Sequence, residues 1–138
     1  MIRTQPKIAY LLALCLVSTA PQAGSGKEDK EGAASPYPGY MAVDPLIVNL
    51  AKPRTYLKLS LQFFVDTQSD ADLITQHMPR LRDRMISLLG GRELESISTP
   101  DAREQLRIEL LDSLRKTMME QTGRPAISAI YFTDFIAQ

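Results

Sequence analysis

The sequence predicts a small α+β domain built as two layers, with its elements in the order β-β-α-α-β. Three observations carry that reading. Apolar residues alternate strictly from Tyr56 to Asp66, the mark of a strand with one buried face. The repeat then lengthens to about 3.6 residues over Ile74 to Leu89, and again over Leu106 to Met118, which marks helices with one buried stripe. The chain closes on a β-branched and aromatic run, Ile127 to Ala137.

The elements follow in order. Leu46 to Leu50 is a short β-rich run with Pro45 at its mouth. Proline cannot donate a ladder hydrogen bond, so it belongs at a strand start or an edge. Ala51-Lys52-Pro53-Arg54 is short enough to join this run to the next as an antiparallel pair. In the second strand Leu57, Leu59, Leu61, Phe63 and Val65 share the inner face, while Lys58, Ser60, Gln62 and Asp66 fall on the other. Ile74, Met78, Leu81, Met85 and Leu88 then form a helical stripe, widened by Ile86 and Leu89. Ser69 or Asp70 is the expected N-cap and Gly90-Gly91 the stop. Pro79 removes an internal hydrogen bond, so a kink or two abutting helices is expected there. Thr99-Pro100-Asp101 opens a second helix with a cap, a first-turn proline and an acid at the positive end of the dipole. Leu106, Leu110, Leu111, Leu114 and Met118 are its buried stripe, and Gly123 and Pro125 end it. In the last strand Ile130 and Phe132 share one face and Phe135 falls on the opposite one. The strand is therefore buried on both faces or bulged near Asp134. Leu59 and Leu61 are expected to pack with Leu110 and Leu114 in one core.

Ahead of this domain, Arg3 and Lys7 precede an apolar run of thirteen residues, Ile8 to Ala20. A spanning helix needs roughly 17 to 25 apolar residues. The run instead fits the central region of an export signal, with small residues after it. Candidate cleavage positions follow Ala20, Ala23 or Ser25. Leu14 stands before Cys15 where a lipidation motif expects a small residue, so Cys15 reads as part of the signal core. Removal near residue 24 leaves 14 basic and 16 acidic side chains, a net charge of −2, and no cysteine. The next stretch is rich in Gly, Pro and charge and holds no Val, Ile, Leu, Phe or Met, so it cannot offset the entropy of ordering its backbone. Residues 1–23 are thus expected to be a signal peptide or short signal anchor, 24–40 a flexible linker, and 41–138 the folded domain.

Composition excludes several functions. Lys plus Arg number 16, as do Asp plus Glu, and this balance argues against nucleic-acid binding. One Cys and one His leave no disulfide framework and no zinc site within the chain. There is no nucleophile elbow, phosphate loop or metalloprotease motif. His77 has no second ligand at helical spacing and reads as structural or solvent-facing. Glu93 and Glu95 lie in a polar stretch with no apolar pocket to raise a carboxyl pKa, so they read as solvated surface. Met78, Met85 and Met118 read as core filling. No catalytic residue, cofactor or metal is expected. Arg80, Arg82 and Arg84 form a basic cluster after Pro79. Arg80 and Arg84 share one helical face, and this pair is the candidate partner contact, with a merely solvated face as the plainer reading.

Two ends of the domain carry a family resemblance. The first strands read V-D-P-L-I-V-N-L, Val43 to Leu50, and Y-L-K-L-S-L-Q, Tyr56 to Gln62. The helices carry H-M-P-R-L-R-D-R-M-I-S-L-L, His77 to Leu89, and I-S-T-P-D-A-R-E-Q-L-R, Ile97 to Arg107. The chain ends Y-F-T-D-F-I-A-Q, Tyr131 to Gln138. In order and spacing this resembles the flagellar basal-body-associated FliL family. The resemblance implies a periplasmic domain similar to the stomatin-like (SPFH) fold. Such a domain self-associates into rings around flagellar stator units and supports torque and swimming, with stator and basal-body proteins as partners and no small-molecule substrate. It implies a structural protein, not an enzyme. Family members tend to carry a full membrane-spanning helix; the short apolar run here points to an exported form, soluble or tethered to the inner membrane at the basal body. The alternative is a periplasmic accessory or ligand-binding domain of the same fold serving another envelope complex. Ring formation needs large complementary surfaces, whereas a ligand binder needs a preformed, mostly apolar pocket of roughly 300 Å³ or more.

Overall fold

The computed structural model describes residues 36–138. The expected signal segment, with Cys15, and most of the expected linker lie outside the described residues. Strands β1 (Gly39–Asn49) and β2 (Tyr56–Val65) come first. Helices α1 (Gln68–Gln76) and α2 (Met78–Leu89) follow, then a 3₁₀ turn (Leu94–Ile97), helix α3 (Pro100–Thr122) and strand β3 (Ala129–Ala137). The three strands form one antiparallel sheet in the order β1-β2-β3, so β2 is central. The fold class is α+β, as the alternation and the helical repeats predict.

β2 sets the core. Leu57, Leu59, Leu61, Phe63 and Val65 are all buried on its inner face. They meet Ile74, Leu81, Met85 and Leu89 from α1 and α2, and Leu106, Leu110, Leu114 and Met118 from α3, in one apolar cluster. Met78, Leu88 and Leu111 are only partly buried against it. Ile86, expected to widen the stripe, is 46% exposed: it sits one position past Met85, on the flank of the helix that turns away from the sheet.

Both edge strands are bulged at the level of Ser60, and each bulge corrects a reading of simple alternation. β1 does not begin near Leu46 but at Gly39, ahead of the expected domain start. Val43 pairs with Leu61 and Leu46 with Leu59, so Asp44 and Pro45 together face the one residue between. The extra residue keeps Val43 and Leu46 both inward although they are three apart, and the bulge accommodates a proline without breaking the ladder. On β3, Ser60 pairs with Asp134 and Leu61 with Phe132, leaving Thr133 as the extra residue. Of the two expected alternatives the bulge is the one realised. It turns Phe132 and Phe135 to the same side, with ring centroids 5.8 Å apart and both packed on the core.

The helices start and stop for local reasons. The N-cap of α1 is Thr67, not Ser69 or Asp70. Its hydroxyl oxygen accepts from the Asp70 amide at 3.1 Å, which places Asp70 inside the first turn. Pro79 splits the pattern into two abutting helices, with His77 ending α1 and preceding α2. Gly90 caps α2, its amide donating to Ile86 O, and Gly91 takes φ +73° to turn the chain. Thr99 caps α3 through the Ala102 amide, and Gly123 ends it in the left-handed region at φ +75°. The 3₁₀ turn has no counterpart among the expected elements; it seats Ile97, fully buried, with Leu94 packed partly buried against the same core three residues before it.

Candidate functional site

Arg80 and Arg84 are four residues apart on α2, so the helix presents them on one face. α3 supplies the opposing wall. Between the two helices lies a hollow of about 320 Å³ whose lining includes Arg80, Arg84, Lys116, Asp83 and Glu120. Arg84 Nε donates to Ser113 Oγ at 2.7 Å, which fixes that guanidinium against α3. Among the described residues no ion pair engages Arg80, Arg84 or Lys116. Their charge is therefore available to a partner. Arg82 points away and donates to Asp44 O at 3.2 Å, tying α2 to the β1 bulge.

Sequence reasoning missed Lys116. It lies 32 positions from Arg84, and the packing of α2 on α3 brings them together. The one legible hint was that Ser113, Thr117 and Glu120 share a polar stripe on α3 beside it. With three cations and two carboxylates the rim is weakly basic. It can hold an acidic group by charge and hydrogen bonding, but it offers no nucleophile with an adjacent base. His77 sits half-buried at the joint of α1 and α2, where its backbone amide donates to Leu73 O.

Outside the hollow, Glu95 and Glu104 serve surface pairs. Glu95 meets Lys52 at 2.5 Å, and the hydrogen bond from Lys52 holds its pKa below the usual 4.5. Glu104 meets Arg107 at 2.5 Å and is lowered for the same reason. A carboxyl depressed in the folded state adds stability above the unfolded value and loses it as pH falls through the folded one. For exposed pairs the effect is small. In a pH titration followed by NMR, Glu104 should show a midpoint below 4.5 that moves up in Arg107→Gln. An unmoved midpoint would mean that Arg107 is not its partner in solution.

Arg107 also donates to Ile130 O at 3.3 Å, and the Arg103 guanidinium lies 4.6 Å over the Phe135 ring. These two side chains border an open groove of about 590 Å³ beside β3, which Tyr131 and Phe132 also line. Among the described residues, no three metal-ligating side chains converge, and no helix is long and apolar enough to cross a membrane.

Residues 40–138 match the family described as flagellar basal body-associated protein FliL. The chain is also 32% identical over 101 residues to the flagellar protein FliL of Aquifex aeolicus. That alignment covers 72% of this chain and 60% of the relative, so the chain spans about three-fifths of that protein's length.

Proposed function

The chain belongs to the FliL family of flagellar basal body-associated proteins, and on that basis we propose that it supports the flagellar motor as a non-catalytic component. Its folded domain is exported to the periplasm by the N-terminal segment and stands beside the stator units. It is similar there to the stomatin-like fold and associates with copies of itself and with stator or basal-body proteins. The observation that supports this reading is coincidence of extent: the family match, 40–138, covers the folded unit from β1 to β3. What is shared with the family is a whole domain with its core, not a fragment of one.

In this reading Arg80 and Arg84, joined by Lys116, meet an acidic surface of a motor partner. The hollow they line is polar and open, unlike the preformed apolar pocket that a ligand-binding role would need. A strain lacking the protein should assemble filaments yet swim more slowly, most clearly in viscous medium. Reversing Arg80 and Arg84 to Glu together should reproduce part of that loss without lowering the melting temperature, because exposed charges contribute little to stability. Normal swimming of the deletion strain under load, in a cell without a second copy of the family, would overturn the motor reading and favour service to another envelope complex.

A further inference from the structure

The polar hollow between α2 and α3 adjoins a second one of different chemistry. Lys116 and Glu120 line both, and Arg115, Met119 and Pro125 complete the second, which measures about 410 Å³. Its floor is apolar: Met119 is 50% exposed there, beside the Pro125 ring. Local sequence builds the junction. Lys116, Met119 and Glu120 stand three and four residues apart, so α3 sets them side by side in its last turns. Gly123 then ends the helix, and the turn after it brings Pro125 beside Met119. Four cations, Arg80, Arg84, Arg115 and Lys116, line the two hollows against two carboxylates, Asp83 and Glu120. Asp112, one turn before Lys116, lines neither. Among the described residues none of the four cations is in an ion pair.

We propose that the two hollows together take a short segment of another protein in which a carboxylate and a large apolar side chain stand close together. The carboxylate sits among Arg80, Arg84 and Lys116, and the apolar side chain covers Met119 and Pro125. A helix brings such a pair together at a separation of three or four residues. This rests on the reading of Arg80 and Arg84 as a partner contact and states the chemistry of that partner. Exposed charges alone hold weakly, and apolar surface removed from water beside them adds affinity and fixes register. Two features favour a protein segment over an anionic membrane. A bilayer presses many phosphates against Asp83 and Glu120 as well as the cations, whereas one carboxylate fits between them. The apolar floor is also the size of one side chain, far less than the long face that seats a helix in a lipid interface.

The test uses the full chain in cells, with photoreactive benzoylphenylalanine in place of Met119 or, separately, of Glu120. Illumination should give one major adduct. Mass spectrometry should place it on a segment with Asp or Glu within four residues of Leu, Ile, Met or Phe. The same photoreactive residue in place of Gln105, exposed near the start of α3, should not capture that segment. Lys116→Glu should cut the adduct yield about tenfold with an unchanged melting temperature, and exchanging the captured carboxylate for Lys should restore it. No adduct from either position would overturn the proposal. So would an adduct on phospholipid, on a second copy of the chain or on a segment without a carboxylate, and so would an undiminished yield in Lys116→Glu. The motor reading is judged separately, by the swimming of the deletion strain. A captured segment of the stated chemistry upholds this inference whether it belongs to a flagellar protein or to another envelope component.

Discussion

Leu61→Ala should lower the free energy of unfolding by about 2 to 5 kcal/mol, the range for truncating a buried leucine in a core that collapses only partly. Leu61 is 2% exposed on the central strand, flanked by Val43 of β1 and Phe132 of β3. The bulges on both edges lie at its level, so the surrounding backbone is already committed to shapes that suit a full side chain. Domains of this size hold roughly 5 to 15 kcal/mol in all. The denaturant midpoint should therefore drop sharply. Gln62→Ala, one residue along and on the open face, should move it by no more than about 0.5 kcal/mol. Equal midpoints for the two variants would mean that the face of β2 toward the helices is wrongly assigned.

The second large effect centres on Asp70, a carboxylate only 7% exposed in the first turn of α1. Its Oδ2 accepts from the Thr67 hydroxyl at 2.9 Å, and its Oδ1 lies 2.9 Å from the guanidinium of Arg124, just beyond the end of α3. The Arg124 contact lacks hydrogen-bond alignment at Oδ1, so charge carries it. It clips the start of one helix to the exit of another. Arg124→Ala leaves a buried carboxylate oxygen without compensation and should cost about 1 to 3 kcal/mol. That is less than for a wholly buried pair, because Arg124 is half exposed and water screens it. Asp70→Asn removes the charge that Arg124 serves, so adding Arg124→Ala to it should cost much less than in the parent. Additive losses in this double-mutant cycle would show that the pair carries no coupling.

The legibility of these features follows their range along the chain. The inner face of β2, the stripe and both caps of α3, and the break at Pro79 are written in consecutive residues, and all appear where the spacing places them. Thr67 was missed as a cap because Thr, Ser and Asp within four positions all qualify chemically, and only backbone geometry chooses among them. Ile97 was missed because Leu94 and Ile97 are two apolar residues in a short polar stretch, too few to establish a period.

Local chemistry in the sequence determined the α+β class, the alternating core strand, both ends of α3 and the stop of α2, the pairing of Arg80 with Arg84, and the family resemblance of the domain. Tertiary structure alone decided the rest. A bulge inserts one residue and reverses every later side chain, so whether Phe135 faces inward depends on how β3 registers against Ser60 and Leu61 of a strand some seventy residues earlier. The same holds for Lys116, which joins the arginines only when α3 packs on α2. It holds as well for Tyr40, Phe64 and Tyr131, which become one surface because three distant strands bring them together and the helices cover only the other side. Periodicity records which way a side chain points relative to its own neighbours; only packing records what stands opposite it.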